Sequence, residues 1–498
     1  MAVVVAIDAG TTGVRAIAFD HSGLPVSSAY REFPQWFPQP GWVEHDADEI
    51  WAAVSEVLSV LGRHLTEMNR TIAAIGITDQ RETIVAWDRV TGRPLHRAIV
   101  WQDRRTAATC DRLRDAGALD EVRATTGLVL DPYFSGTKLQ WLFTEGGVPS
   151  DSSVAVGTID SWLIWRLTAG AAHITDTTNA SRTMLFDIRS GAWSTSMCEM
   201  LGIPQHVLPE VRPSSGRVAV TARNSPIGGG IPISGIAGDQ QASLFGQACF
   251  EPGTAKSTYG TGSFVLMNVG EQCPEAVDGL LTTIAWTLPN PGGSATTTYA
   301  YEGAVFASGA AVQWLRDGLG IIENSGDVTA LASSVDDCDG VMIVPAFTGL
   351  GSPWWDPYAR GTVLGITRGT TRAHLARATL ESIALQTRDV IDAMTTAAHR
   401  PVAGGPADGG GASDLVLQMQ ADQLGVPVRR PLVPDTTALG AAYLAGLAEG
   451  FWSSLDEITA NWALDVEITP DLDRAMADAT HDRWLRAVER SRDWARDQ

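Results

Sequence analysis

The run Val3 to Asp20 reads VVVAIDAGTTGVRAIAFD: two apolar, strand-like stretches separated by Asp8-Ala9-Gly10-Thr11-Thr12-Gly13. An ordinary hairpin turn needs only about two to five residues and favours Asn-Gly or Asp-Gly. An acid, glycines and two threonine hydroxyls at the tip suggest a turn that handles a ligand. Roughly 250 residues later the pattern returns as AKSTYGTGSFVLMNVG, Ala255 to Gly270, with Tyr259-Gly260-Thr261-Gly262 at its tip. The letters differ but the physics repeats. One strand–tip–strand unit per half points to two α/β domains facing each other, with a ligand cleft between them. At 498 residues the chain is also too long for a single compact core.

Between the tips, Ile72–Thr78 and Thr83–Asp88 read as paired strands. Apolar residues at Ile50, Val54, Val57, Leu61 and Leu65 predict a helix over 47–65, opened by a capping-box-like Asp46 and Glu49. Ile231–Ile236 reads as a strand, and Gly238-Asp239 opens a helix through Phe245. The turn Phe250-Glu251-Pro252-Gly253 marks the midpoint. In the second half a strand is expected at 341–347, with helices over 371–394, 412–424 (closed by Gly425) and 437–447. The glycine-rich loop Asp408-Gly409-Gly410-Gly411 precedes the second of these helices.

A net charge of −21 disfavours nucleic acid and anionic membranes as partners. No apolar run reaches the roughly 18 residues of a membrane helix, and no signal-peptide pattern opens the chain. Five scattered cysteines without a C-x-x-C pair fit a reducing cytoplasm and no zinc site. Only two lysines occur, Lys138 and Lys256, and no G-x-x-x-x-G-K-[ST] is present, so phosphate would have to be met without a P-loop. The two tips can supply that alternative. Glycine lets backbone N–H groups approach a ligand closely, and successive N–H groups form an anion nest. Thr11, Thr12 and Thr261 add hydroxyls, and Arg15 could reach a terminal phosphate. Asp8 has the wrong sign for phosphate and suits Mg²⁺ held through water.

Asp8-Ala9-Gly10-Thr11-Thr12 together with Tyr259-Gly260-Thr261-Gly262 resembles the FGGY carbohydrate kinases, of the actin-like ATPase fold. YFSGTKLQW (Tyr133 to Trp141), GTIDSWLIWRL (Gly157 to Leu167) and PAFTGLGSPWWDPYARG (Pro345 to Gly361) are family-like as well. GWVEHD (Gly41 to Asp46), DQRET (Asp79 to Thr83), SGIAGDQQASLFGQ (Ser234 to Gln247) and EGAVFASGAAVQWLRD (Glu302 to Asp317) resemble the family's glycerol-phosphorylating members. The resemblance implies ATP-dependent phosphorylation of glycerol to sn-glycerol 3-phosphate with Mg²⁺. It implies an N-terminal domain over 1–248 for polyol and phosphate, and a C-terminal domain over 249–498 for nucleotide.

Residue by residue, the resemblance implies that Arg81 and Glu82 grip adjacent glycerol hydroxyls and that Trp101 and Phe264 flank the carbon skeleton. Tyr133 and Gln240 offer further polar contacts, and Asp239 is the general base. Thr11, Thr12, Gly13, Arg15, Thr261, Gly309, Gln313, Gly410 and Ser413 fall on nucleotide contacts, and Asp8 on the metal site. From the residues alone, Arg81-Glu82 reads first as a solvated surface pair, Trp101 and Phe264 as ordinary core, and Asp239 as a helix N-cap.

Four departures from the family pattern stand out. Ala9 replaces glutamine, Gly13 replaces serine or threonine, and Asp79 replaces asparagine. The loop after Asp408 is one residue short, with Ser413 near the usual asparagine. A kinase for another short polyol, triose or pentose sugar is the nearest alternative. An actin- or Hsp70-like ATPase that drives binding or assembly is a more distant one. A homodimer or homotetramer, acting in the cytoplasm, is expected from the same resemblance.

Overall fold

The computed structural model describes residues 1–402, 405–409 and 412–496. The first hairpin forms as read: β1 (Ala2–Ala9) and β2 (Gly13–Phe19) pair antiparallel with Asp8 opposite Arg15. With β3 (Pro25–Glu32), β4 (Thr71–Asp79), β5 (Ser215–Val220) and β6 (Pro232–Gly238) they make a six-stranded sheet in the order β5-β6-β4-β1-β2-β3. β1, β4 and β6 run parallel; the other pairings are antiparallel.

The second half repeats this plan. β7 (Ala255–Tyr259), β8 (Ser263–Gly270), β9 (Leu281–Pro289), β10 (Ala295–Val305), β11 (Gly405–Asp408), β12 (Val428–Pro431) and β13 (Leu464–Ile468) form a sheet in the order β9-β10-β8-β7-β11-β12-β13. Again a hairpin's first strand carries parallel neighbours on its other side. The repeat seen in two tips therefore extends to two whole sheets.

β1 shows why the opening run is apolar without alternation. Val3, Val5 and Ile7 enter one core, shared with helix α1 (Ala47–Glu67). Val4 and Ala6 enter another on the opposite face. A sheet covered on both sides needs continuous apolar strands. The opposite cover consists of α2 (Asp239–Gly246), which follows β6, and a helix from far along the chain. After α3 (Gly309–Asp317), α4 (Arg372–Ala398) and α5 (Asp414–Leu424), helix α6 (Thr436–Ala448) packs on β4, β6 and β1 of the first sheet. The first sheet is thus completed by a helix from the second half.

Three local expectations need correction. Thr83–Asp88 does not pair with the strand before it. Val85–Asp88 pairs antiparallel with Val154–Gly157 instead, because Glu82 between them adopts a left-handed backbone (φ 63°) that turns the chain away. The strand expected at 341–347 is only Met342–Val344. Asp46 caps α1 through the Asp48 and Glu49 N–H groups, but the box is not closed: Glu49 Oε2 accepts from Trp36 Nε1 at 3.4 Å. Among the described residues no helix is long and apolar enough to cross a membrane.

Candidate active site

Trp101 joins the two hairpin tips, bonded to Thr11 of the first and with its ring 6.5 Å from that of Phe264, just past the second. At the first, Gln80 Nε2 donates to the Gly10 carbonyl at 3.1 Å and Trp101 Nε1 donates to Thr11 Oγ1 at 3.0 Å. Thr12 is exposed, and Gly13 is buried beneath it. A Cβ on Gly13 would lie 2.6 Å from the Tyr30 hydroxyl, so serine or threonine would need that neighbour to move. Arg15 does not point into open space: it is ion-paired with Asp435, next to the start of α6.

The second tip is braced by α3. The N–H groups of Ser308, Gly309 and Ala310 donate to the carbonyls of Thr261, Gly260 and Thr261 at 3.0, 2.9 and 2.9 Å. A Cβ at Gly309 would lie 2.6 Å from Gly260 O, so glycine lets helix and tip touch. Gln313 lies one turn further along α3 and is exposed. Ser413 is the N-cap of α5, its hydroxyl oxygen accepting from Val416 N–H at 3.4 Å. Gly410 lies outside the described residues.

Between the tips sits a buried charge cluster. Arg81 follows β4, and both of its Nη groups are hydrogen-bonded twice while Nε is in an ion pair. Nε faces Asp239 Oδ1 at 3.3 Å. Nη1 meets Gln241 Oε1 at 3.2 Å and Glu302 Oε2 at 2.5 Å. Nη2 meets the Tyr133 hydroxyl at 3.2 Å and Glu302 Oε1 at 2.9 Å. Arg182 joins it, donating to Glu82 Oε1 at 2.6 Å and Glu302 Oε1 at 2.9 Å. The pair Arg81-Glu82 is therefore not a surface pair; both residues are almost wholly buried. The close fit of Arg81 depends on Gly238, where a Cβ would lie 2.6 Å from the arginine's Cγ.

Three aromatic rings stand over this cluster. Trp101 meets Tyr133 edge-on at 5.6 Å between centroids and Phe264, from β8, at 6.5 Å. All three are only partly buried, so they are not wholly core residues.

Burial would raise the pKa of Glu302, but Arg182 and Arg81 outweigh it and hold the carboxyl at about 2. Asp239 moves the other way: burial raises it, and Arg81 and Lys256 only partly offset that. Asp239 is the first residue of α2, with Gly238 as the N-cap, so it is not the helix cap. Asp8 is pushed up to about 7 by burial and by Asp239, with Arg15 opposing and Asp435 adding to the rise. A carboxylate so short of positive partners has the chemistry to hold a cation.

Sequence reasoning noted Lys256 only as one of two lysines and did not single out Glu302, Arg182 or Asp435. Glu302 lies inside a quoted segment, but its partners Arg81 and Arg182 are 221 and 120 residues away, and no local pattern signals such pairing.

The chain matches the FGGY family of carbohydrate kinases in both parts of that family's description, the N-terminal domain over residues 3–246 and the C-terminal domain over 255–449. It is 54% identical to the glycerol kinase of Bordetella parapertussis, over 99% of this chain and 98% of that protein. It is also 54% identical to the glycerol kinase of Trichlorobacter lovleyi, over 99% and 100%. Among solved structures, Plasmodium falciparum glycerol kinase with ADP superimposes at TM-score 0.92 and 33% identity, covering 99% of this chain and 98% of that one. The gluconate kinase of Lactobacillus acidophilus shares the fold at TM-score 0.86 and 23% identity, covering 98% and 97%.

Proposed function

The chain belongs to the FGGY family of carbohydrate kinases, with the actin-like ATPase fold, and phosphorylates glycerol with ATP; we propose that the cleft residues divide that work as follows. Glycerol lies under Trp101, Tyr133 and Phe264 with its C–H side on the rings. Glu82 accepts from one hydroxyl through the carboxylate oxygen that Arg182 leaves open. Arg81 donates to a neighbouring hydroxyl, exchanging its contact with Tyr133 or Asp239 for one with substrate. Gln240 contacts the same polyol.

Asp239 takes the proton of the terminal hydroxyl. The alcohol oxygen forms its bond to the γ-phosphorus as the bond to the β-phosphate oxygen breaks, and ADP leaves. The product is sn-glycerol 3-phosphate. Such transfers depend on positioning and charge stabilisation more than on covalent help. A base works best when its pKa approaches the working pH, which the raised value of Asp239 favours.

The tips receive the phosphates. Thr11, Thr12 and Thr261 supply hydroxyls, and the Gly10–Gly13 and Gly260–Gly262 turns supply backbone N–H groups. Arg15 would leave Asp435 to reach the terminal phosphate. Gly309, Gln313, Gly410 and Ser413 form the nucleotide side. Mg²⁺ would be held by Asp8, through water, where it supplies charge neutralisation to the phosphates. We assign residues 1–248 to a polyol and phosphate domain and 249–498 to a nucleotide domain, and we place the enzyme in the cytoplasm as a homodimer or homotetramer.

The observation that carries this reading is the junction at Asp239: a carboxylate 3.3 Å from Arg81, at a helix start, beside a three-ring wall and between two glycine-threonine tips. The test is coupled measurement of ADP release with and without glycerol. Glycerol should raise the rate by orders of magnitude. A rate indifferent to glycerol would favour the actin- or Hsp70-like ATPase. Stronger stimulation by erythritol, dihydroxyacetone or xylulose would move the substrate assignment.

A further inference from the structure

We infer that Lys256 is a positioning residue for the polyol, acting by locking the Gln240 side-chain amide in one orientation. The inference rests on the glycerol-kinase reading and adds to it a residue that touches neither substrate. Lys256 lies on β7, the first strand of the second hairpin, and is wholly buried. Its ammonium donates to Gln240 Oε1 and to Thr258 Oγ1, the latter at 2.8 Å. An ammonium has donors and no acceptor, so the Gln240 atom facing it must be the oxygen. That fixes Nε2 on the other side. Among the described residues no protein group accepts from Nε2, so its two N–H groups remain for a ligand hydroxyl oxygen. A glutamine that could flip would offer donor or acceptor indifferently; this one is committed to donating.

The choice of lysine supports the assignment. Of the 36 basic residues only Lys138 and Lys256 are lysines, and both are completely buried. Wherever this chain needs a surface cation it uses arginine. A planar guanidinium is bulkier than an ammonium and fixed in its fork geometry, so the lysines stand where a compact point charge is needed. Lys138 does a parallel job, donating to the carbonyls of Pro132 and Tyr133 at 3.1 and 2.5 Å beneath the aromatic wall. Around Lys256, Asp408 and Asp239 favour the ammonium, Arg81 opposes it and Glu302 favours it. Burial lowers its pKa to about 8 in spite of these carboxylates, so it stays protonated at neutral pH.

The test is a double-mutant cycle on glycerol-dependent ADP release, with Lys256→Met, Gln240→Ala and the double variant. Lys256→Met should raise the glycerol KM by about tenfold, as expected for loss of a charge-assisted contact that orients a donor, with the ATP KM within about twofold of wild type. The double variant should bind glycerol no worse than Gln240→Ala alone, because both changes remove one unit. Independent, multiplying effects in the cycle would overturn the inference, as would an unchanged glycerol KM or an equal rise in the ATP KM. If Lys256→Met does not fold, Thr258→Val takes its place in the cycle. It removes one anchor of the ammonium and should give a smaller glycerol-only rise that vanishes in the Gln240→Ala background. Wild-type enzyme without glycerol-dependent turnover would instead sink the glycerol-kinase reading itself, which separates the two failures.

Discussion

Asp239 sits where its proton affinity is set by opposed neighbours, with burial raising it and Arg81 and Lys256 drawing it down. The net rise fixes the sign of a pH effect. A base must be ionised, so kcat/KM for glycerol should fall as pH drops through the pKa of Asp239. That limb should lie above the roughly 3.9 of an ordinary aspartate. Asp239→Asn should fold, keep glycerol affinity and lose at least about 10³-fold in kcat; retained turnover would remove the base assignment. Asp79 gives a stability test of the same kind. It is fully buried next to Asp160 and Asp176, and burial raises its pKa well above the usual value. Above the unfolded pKa of about 3.9, stability is therefore lost as pH rises toward the folded value. Asp79→Asn keeps an acceptor for Asn179 Nδ2, now 3.1 Å away, and removes that penalty. It should raise the melting temperature at pH 8, and progressively less toward pH 5. Residues that were legible from sequence share a reason. Asp8, Arg81, Glu82 and Asp239 stand in contiguous motifs. Arg15 was legible as a position but not as a state, since Asp435, which engages it, lies 420 residues away, whereas Ser413 is tied up locally as the N-cap of the helix that follows it.

At the scale of elements, α2 and α6 cross so closely that glycine is required at the contact. A Cβ on Gly440 would lie 1.8 Å from Ala242 O, and one on Gly246 would lie 2.0 Å from Thr436 O. The sheet is approached as tightly, with Gly76 directly under Ala441 O. These contacts are backbone against backbone and cannot yield by a rotamer change. Gly440→Ala gains up to about 1 kcal/mol of helix propensity. Overpacking costs typically about 1–3 kcal/mol and more where the backbone must move. The variant should therefore be less stable than wild type by urea denaturation, while Gly450→Ala, with nothing within 4 Å of its Cβ but a positive φ of 68°, tests backbone strain alone. Element identity was readable where periodicity was local, as in α1, α5 and the two hairpins. At Thr83–Asp88 the strand was readable but its partner was not, because the left-handed Glu82 redirects the chain. The destination of α6 was not readable at all. Its residues are apolar all round, which signals burial but not against which sheet.

Across the whole molecule, the two lobes meet at a charge cluster as well as at packed helices. Glu302 reaches from β10 of the second sheet to Arg81 and Arg182 of the first half. Glu82 serves Arg182 only through one oxygen at 2.6 Å, so Glu302 is the chief counter-charge to two buried guanidiniums. Glu302→Gln keeps the shape and one acceptor but removes the charge. Breaking a buried pair in this way costs about 3–5 kcal/mol. The proton linkage gives a similar size by another route. With a folded value of about 2 and an unfolded value near 4.3, the ionised carboxylate contributes about 3 kcal/mol. Because the folded pKa is the lower one, that contribution is complete above about pH 4.3 and disappears as pH falls toward 2. The gap in unfolding free energy between wild type and Glu302→Gln should therefore be constant from about pH 5 to 8 and close steadily below pH 4. The same variant should raise the glycerol KM, because Arg81 loses the carboxylate that holds two of its five donors in place. A gap that widens on acidification, or a variant as stable as wild type at pH 7, would mean that the helices alone join the lobes and the charge cluster is incidental to their registry.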